Sequence, residues 1–321
     1  MSTSSASTAL QYPIICIVGP TASGKSELAQ RVALARDGEV VSADSMQVYR
    51  GMDIGTGKVL AKDRLVPHHC LDIVDPGQPF SAALFQETAR ACFSDIDARG
   101  HRAVLCGGTG FYVRAAIDDY QFPKGEQVGN ARRDACLAFA HEHGADALWQ
   151  RLAAEDPQSA ALIPPNDVKR VTRAFELLDD GTTYAQQKQK LAHIPQKYPA
   201  VFVGLHVEPA VLRQRIDARV DAMVEQGLVA EVQGLLDGGF RQAITSPQAI
   251  GYKEIVDALE GRCTLGEAVE QIKTATHRYA KRQRTWFRKD ARINWIDATS
   301  LNAGNMLEDA LRYVEAHCYN A

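Results

Sequence analysis

No C-x-x-C pair occurs among the seven cysteines, Cys16, Cys70, Cys92, Cys106, Cys136, Cys263 and Cys318. An odd count without paired spacing argues against a disulfide framework and against a zinc ribbon. It implies free thiols in a reducing, cytoplasmic setting. Residues 1–9 are small and polar and lack the basic start and apolar segment of a leader, and the first arginine is Arg31, which speaks against a transit peptide. This stretch reads as a disordered tail. No apolar run approaches the roughly 20 residues of a membrane span. A strong charge bias is missing as well. With 36 basic and 39 acidic residues the net charge is −3, so any attraction to nucleic acid must be local.

What is present begins with Gly19-Pro20-Thr21-Ala22-Ser23-Gly24-Lys25-Ser26. Before it runs Ile14-Ile15-Cys16-Ile17-Val18, too short for a buried helix and β-branched enough for a buried strand. After it, Leu28, Val32 and Ala35 recur at helical spacing. Strand, G-x-x-x-x-G-K-S loop and helix together are the context of a phosphate-binding loop. Its glycines let backbone N–H groups curl around phosphate oxygens, and the helix N-terminus adds partial positive charge. Lys25 supplies a point charge and Ser26 a hydroxyl for Mg²⁺. The motif alone does not specify which phosphate.

Asp37-Gly38 turns the chain into a second strand, Glu39–Ala43, which delivers Asp44-Ser45-Met46-Gln47 at its carboxyl end. Ligands of open parallel sheets sit there, so Asp44 is expected to face the phosphate loop, with capping of the following helix as the plainer alternative. Gly55-Thr56-Gly57-Lys58 imitates a second phosphate loop but has neither the strand nor the full spacing. His68-His69 lacks further ligands at metal-site spacing. Residues 81–98 read as a helix capped by Ser81, with an apolar stripe of Leu84, Phe85, Thr88, Ala91, Cys92 and Ile96. The next strand, Arg102–Cys106, runs into Gly107-Gly108-Thr109, where a hydrolase would place an acidic residue for Mg²⁺ and water. The glycine pair is either a plain turn or a place of close backbone approach.

Between about 120 and 200 strand-like runs vanish and helical periodicity takes over. This predicts an α-helical insertion of residues 120–199 into a core formed by 11–119 and 200–298, with a C-terminal extension at 299–321 and the tail at 1–10. Within the insertion Val168, Val171, Phe175 and Leu178 form a buried helix face, and Lys169, Arg170 and Arg173 lie outside it. The core resumes with a strand at Ala200–Val207 and a helix from Pro209, on which Leu212, Ile216, Val220 and Met223 are in register. Between Lys273 and Arg292 eight Lys or Arg stand against one acidic residue, Asp290. On a helix His277, Lys281, Arg284 and Arg288 would share one face, with Ile272, Ala275, Tyr279 and Trp286 packing opposite. Such a stripe on an acidic protein is the footprint of a polyanion partner.

These motifs together resemble the bacterial tRNA dimethylallyltransferases, or isopentenyl-tRNA transferases. The matching pieces are G-P-T-A-S-G-K-S (19–26), D-S-M-Q-V-Y-R (44–50), V-P-H-H (66–69), F-S-A-A-L-F (80–85), G-G-T-G-F-Y (107–112), P-N-D-V-K-R-V-T-R (165–173), A-I-G-Y-K-E (249–254) and K-R-Q-R-T-W-F-R (281–288). They cover about residues 12–297, with Phe111 standing where the family more often has Leu, and with no C-terminal zinc finger of the eukaryotic kind. The resemblance implies an α/β fold, a P-loop nucleotide-kinase-like parallel sheet core with an α-helical insertion domain. It implies transfer of a dimethylallyl group from dimethylallyl diphosphate to the exocyclic amine of the adenosine 3′ of the anticodon, in tRNAs reading codons that begin with U.

By the same resemblance Gly19, Pro20, Thr21, Ala22, Ser23, Gly24, Lys25 and Ser26 would hold the diphosphate, with Mg²⁺ near Ser26 and Thr21. Asp44 would be the general base, with Thr109 and an insertion arginine, Arg133 by spacing or its neighbour Arg132, completing the site. The tRNA anticodon stem-loop would be held by Asp44, Ser45, Met46 and Gln47, by Lys169, Arg170, Val171, Thr172 and Arg173, by Gly251 and Tyr252, and by Lys281, Arg282, Gln283, Arg284 and Arg288. Gln47 would read the edge of the extruded base. A monomer without membrane association is expected. The rival readings are a P-loop small-molecule kinase, an adenylate prenyltransferase and an RNA-binding P-loop switch protein. Each predicts nucleotide turnover, free-nucleotide prenylation or no modification at all.

Overall fold

The computed structural model describes residues 10–122, 130–192, 194–238, 240, 248–300 and 302–318. The polar tail at 1–9 lies outside them. In chain order the first elements are β1 (Ile14–Val18), α1 (Lys25–Ala35), β2 (Gly38–Ser42), β3 (His68–His69), α2 (Ala82–Ala98), β4 (Arg102–Gly107) and α3 (Gly110–Ile117). A run of helices follows: α4 (Ala131–His143), α5 (Ala145–Glu155), α6 (Pro157–Ala160), α7 (Val168–Asp179) and α8 (Tyr184–Ala192). The chain then returns through β5 (Ala200–His206), α9 (Pro209–Glu225), α10 (Leu228–Asp237), α11 (Tyr252–Leu259), α12 (Leu265–Phe287), β6 (Ile293–Asp297) and α13 (Ala303–Cys318). Two compact units result, one of residues 1–118 with 196–321 and one of 119–195.

In the first unit six strands form one sheet in the order β3-β2-β4-β1-β5-β6, and each recorded pairing is parallel. Successive residues of a strand face opposite sides. Ile15, Ile17, Val40, Val104 and Val203 therefore enter one core layer, while Ile14, Cys16, Val18, Val41, Leu105 and Phe202 enter the other. Both faces are covered, which is why the strands read as unbroken apolar runs rather than alternating ones. The strand order reverses around β1, whose neighbours β4 and β5 lead away to opposite sheet edges. A crevice beyond its carboxyl end is the topological consequence.

Helix α2 is capped as expected, Ser81 accepting from the Leu84 N–H at 3.2 Å. Its buried stripe, however, is rotated relative to the expected one. Phe85, Ala89, Phe93 and Ile96 are buried and Leu84 is exposed, because i, i+4, i+8, i+11 follows the helix face more closely than the contiguous apolar residues do. The C-terminal extension is part of this unit, with Met306, Ala310 and Val314 of α13 in the core.

One buried charge cluster ties α3 to β6. Asp118, fully buried, accepts from Arg292 Nη1 at 2.6 Å and Arg114 Nε at 2.8 Å, and Arg292 also pairs with Asp290 and lies 4.5 Å from the Phe202 ring centroid. Removing one partner of a buried pair leaves the others uncompensated. Asp118→Ala is expected to lower the stability of the protein by about 3–5 kcal/mol, read as a shifted denaturant midpoint at unchanged slope.

In the second unit Cys136, Leu148, Leu152, Ile163, Val171 and Phe175 make a small separate core. Asn130 caps α4 and Asp167 caps α7, and the Trp149 indole donates to the Ile163 carbonyl at 2.8 Å.

Candidate active site

The loop between β1 and α1 has the shape its sequence requires. Gly24 has φ +89° and no side chain to cap α1, so the first N–H groups of the helix stay available to an anion. Lys25 folds back with Nζ 3.3 Å from the Pro20 carbonyl. Burial lowers the pKa of Lys25; the Cys106 thiol opposes this and Arg219 adds to it. Burial in turn pushes Cys106 up to about 11. Gly19, Pro20 and Ser23 are buried and shape the loop from behind, whereas Thr21, Lys25 and Ser26 line a cavity of about 330 Å³.

Asp44, just past β2, lines the same cavity. Its Oδ1 accepts from the Met46 N–H at 2.9 Å, which closes a turn. No α-helix follows β2 before β3, so the helix-capping alternative does not apply, while the placement beside the phosphate loop does. Ser45 N–H donates to Thr109 Oγ1 at 3.2 Å, joining the ends of β2 and β4. Gln47 is bonded at both ends of its amide: its Oε1 accepts from Ser42 at 2.9 Å and its Nε2 donates to the Thr56 carbonyl at 3.2 Å. Gln47 lines the cavity while both ends of its amide also hold the cavity wall.

Arg219 of α9 was not singled out by any motif. Its guanidinium lies over Gly57, where any Cβ would overlap it, and it lines the cavity opposite Asp44, whose charge partly offsets the lowering by burial. The residues before it, Leu212 and Ile216, mark α9 as an amphipathic helix, and nothing in that pattern distinguishes an inward arginine from a solvated one.

Gln283 departs furthest from expectation. Placed by its motif among tRNA contacts, it is instead 5% exposed. Its Oε1 accepts from Thr21 N–H at 2.9 Å and its Nε2 donates to the Gly108 carbonyl at 3.0 Å, so α12 fastens the phosphate loop to the β4 turn. Tyr279, one turn earlier, is hydrogen-bonded to Thr109 and Gln283, and burial pushes its hydroxyl up to about 12, which keeps it neutral. The glycine pair after β4 is explained by this convergence. A Cβ on Gly107 would overlap the Ala43 carbonyl and one on Gly108 the Gln283 amide.

The remaining wall comes from residues 53–57, the segment that resembles a second phosphate loop. Lys58 is spent on Asp53 and Asp72, both at 2.6 Å, and on the Tyr49 carbonyl, so it offers no charge to a ligand. Glu231 of α10 accepts from the Asp53, Ile54 and Gly55 N–H groups at 3.0, 2.8 and 3.2 Å and from the Tyr252 hydroxyl at 2.6 Å. Gly55, Thr56 and Gly57 thereby become cavity lining. Tyr252, expected to touch tRNA, is fully buried and acts as a strut through Glu231, while Gly251 begins α11 with its N–H given to Glu254 at 2.8 Å. Ile216, Val220, Met223, Leu228 and Ile272 give the cavity an apolar stretch. The cavity thus offers cations and hydroxyls to an anionic head and aliphatic side chains to a short tail.

The basic positions divide. On α12 Lys281, Arg282 and Arg288 are exposed, Arg282 also reaching the cavity, and Arg284 is half-buried beside Arg288. His277 and Lys273 are not part of a free stripe, because Asp217 and Asp221 of α9 pair with them at 2.8 Å each. The acidic partners lie far away in sequence, which a local charge count cannot see. Trp286 does not pack opposite the stripe but is 43% exposed, and Ala280, Gln283 and Phe287 take the buried face. In the second unit Lys169 and Arg170 are exposed on α7, while Val171 and Thr172 are buried. Arg173 and Arg133 both hold the buried Glu176 carboxylate, at 2.9 and 2.7 Å. Arg132 lies over the Phe175 ring at 4.9 Å and pairs with Asp179 at 3.4 Å.

Comparison with known proteins places this geometry. The family model described as IPP transferase matches residues 47–290, and one described as isopentenyl transferase matches residues 12–65. The tRNA dimethylallyltransferase of Geobacillus thermodenitrificans is 45% identical over 309 residues, covering 94% of this chain and 96% of that protein. That of Carboxydothermus hydrogenoformans is 46% identical over 287 residues, 89% and 92% of the two chains. Among solved structures, the tRNA isopentenylpyrophosphate transferase of Bacillus halodurans aligns with a TM-score of 0.70 at 42% identity over 95% of this chain and 96% of that one. A eukaryotic dimethylallyltransferase acting on tRNA aligns at 0.79 with 28% identity, covering 95% and 80%.

Proposed function

Because the chain belongs to the IPP transferase family, we propose that it is a tRNA prenyltransferase using dimethylallyl diphosphate. The acceptor is the exocyclic amine of the adenosine 3′ of the anticodon in tRNAs reading codons that begin with U. The observation that carries this reading is the single cavity shared by Lys25, Thr21, Ser26, Asp44 and Arg219 on one hand and Ile216, Val220, Met223 and Ile272 on the other. A hydrolase-type acidic residue after β4 is replaced by Gly107-Gly108-Thr109, which matches a loop that holds a leaving diphosphate.

The amine nitrogen attacks C1 of the dimethylallyl group, the C1–O bond breaks, and the diphosphate leaves with the bonding pair. Lys25, Arg219 and the loop N–H groups stabilise that developing charge. The exocyclic amine is a poor nucleophile, so Asp44 orients it and accepts its proton. The acceptor base is normally stacked and has to be extruded into the cavity first. Gln47 and Glu231 then serve by fixing the 55–57 wall against which it rests. Among the described residues no cluster of three or more His, Cys, Asp or Glu could hold a metal. The hydroxyls of Thr21 and Ser26 are hard oxygen donors in one cavity, and they suit a Mg²⁺ shared with substrate phosphate oxygens. Such an ion would neutralise charge on the diphosphate.

Incubating purified protein with unmodified tRNA, Mg²⁺ and dimethylallyl diphosphate should yield isopentenyladenosine by nucleoside mass spectrometry, without ATP. Prenylation of free adenylate alone, or an absolute ATP requirement, would overturn the reading. The exposed Lys281 and Arg288, with Arg284, are assigned to tRNA phosphates. Each contact releases roughly 0.7–0.9 counterion, so replacing all three with Ala should flatten log affinity against log salt by about two to three. Dimethylallyl diphosphate binding should be unchanged. A slope that does not move would make these side chains a solvated face.

A further inference from the structure

Beyond the prenyl cavity, α12 borders a second and smaller one of about 160 Å³. Its lining is Leu205, His206 and Val207 at the carboxyl end of β5, Trp295 of β6, and Arg284 and Arg288 of α12. Leu205 also backs the phosphate loop, because a Cβ on Gly19 would meet the Leu205 carbonyl at 3.3 Å. Trp295 is paired with Gly204 in the parallel β5–β6 register. The absence of a side chain at Gly204 lets the indole lie on the sheet, since a Cβ there would come within 2.8 Å of the ring. Trp295 is nonetheless 37% exposed, so part of its ring stays free toward the cavity it lines.

The two arginines here are unlike those that hold Glu176. Among the described residues neither the Arg284 nor the Arg288 guanidinium has a hydrogen bond or an ion pair. The nearby carboxylates are engaged elsewhere. Glu208 caps α9, accepting from the Ala210 and Val211 N–H groups at 2.8 and 3.1 Å. Asp297 accepts from the Thr299 N–H at 2.9 Å and stands 4.0 Å from His206 Nδ1. Burial and the like charge of Arg288 lower the pKa of Arg284 against the pull of Glu208, which leaves the pair short of an anion. A cavity of roughly 150 Å³ takes one benzene-sized ring, so this one fits a single heteroaromatic base and not a longer ligand. A free aromatic face beside two unpaired guanidiniums answers to the two parts of a nucleotide, its base and its phosphate.

We propose that this cavity is a nucleotide subsite, in which one base of the anticodon stem-loop, other than the prenylated adenosine, stacks on Trp295 while its phosphate lies against Arg284 and Arg288. The inference rests on the tRNA reading given above and adds a base contact to the phosphate contacts assigned there. Helix α12 joins the two cavities in sequence. Arg282 lines the prenyl cavity, Gln283 holds the phosphate loop, and Arg284, the next residue, opens into the second cavity. An RNA strand that gives its adenosine to the first cavity and follows the exposed Lys281 and Arg288 arrives at the second. Stacking tolerates any base, so the subsite adds affinity and register without demanding a sequence.

The test measures binding of a synthetic anticodon stem-loop RNA to the full-length protein, not its prenylation. Trp295→Leu keeps an apolar cover over Gly204 but removes the stacking face, and should weaken RNA binding roughly 5- to 150-fold. No charge is lost, so the slope of log affinity against log salt should match that of the unmutated protein, whereas Arg288→Gln should flatten it by about 0.7–0.9. Trp295→Phe should recover part of the affinity, and stabilisation by inorganic diphosphate should persist in all three variants. Ultraviolet crosslinking of the unmutated complex, which needs no variant to fold, should place RNA on Trp295 in the tryptic peptide 293–312. Undiminished RNA affinity in Trp295→Leu, or crosslinks found only outside that peptide, would overturn the proposal. So would a crosslink formed equally by free AMP, which would give the cavity to a free nucleotide. Failure of the unmutated protein to bind the stem-loop is a separate outcome, and it would overturn the tRNA reading together with the subsite.

Discussion

Asp44→Asn should slow single-turnover prenylation by about 10²–10⁴-fold while leaving tRNA affinity nearly unchanged. The substitution keeps the acceptor oxygen that receives the Met46 N–H at 2.9 Å, so the turn after β2 and the Ser45 link to Thr109 survive. What it removes is basicity and a negative charge facing Arg219 and Lys25. If proton acceptance from the amine is the role of Asp44, the loss falls on the rate of the chemical step and not on substrate binding. An Asn variant with undiminished single-turnover rate would remove Asp44 from the mechanism. One with unchanged rate per bound tRNA but weakened tRNA binding would reduce it to holding the turn after β2.

The contrast between Asp44 and Arg219 shows where the sequence is legible. Asp44 could be found because it follows a short apolar strand, and in parallel sheets the carboxyl ends of strands face the ligand. The phosphate loop, the parallel α/β core and the register of Leu212, Ile216 and Val220 on α9 are local patterns of the same kind, set by periods of two and 3.6 residues. Arg219 belongs to none of them. It enters the cavity because Gly57, 162 positions earlier, leaves room for its guanidinium, and that pairing exists only after folding. Gln283 makes the point in reverse. Inside the run Lys281-Arg282-Gln283-Arg284 it reads as one more polar surface residue, yet it is the position of that run turned inward, bonded to Thr21 and Gly108. The charge stripe on α12 was overcounted for a related reason, since the Asp217 and Asp221 that neutralise His277 and Lys273 sit on another helix. Sequence shows which residues could be charged partners; only the fold shows which are already taken.

Arg219→Ala should cost about 10²–10³-fold in the rate of prenyl transfer, roughly 2.7–4 kcal/mol, by the loss of one cation from the leaving diphosphate. The electrostatics of the cavity give this expectation a second, opposite reading on stability. Lys25 and Arg219 are both lowered by burial, and Arg219 lowers Lys25 further, so the two repel each other in the protein itself. Asp44 supplies one negative charge for two positive ones, and the shortfall is what an anionic ligand would fill. Truncating Arg219 therefore relieves repulsion in the folded state while removing catalytic charge. The thermal midpoint of the free protein should stay the same or rise, the stabilisation by inorganic diphosphate should shrink, and the pKa of Lys25 should move upward. Arg219→Lys should restore part of the rate, because a point charge replaces the charge but not the planar fork. A loss of less than tenfold in Arg219→Ala with normal diphosphate stabilisation would leave the leaving group to Lys25 and the loop N–H groups alone. A fall in thermal midpoint together with the loss of rate would make Arg219 a packing residue instead.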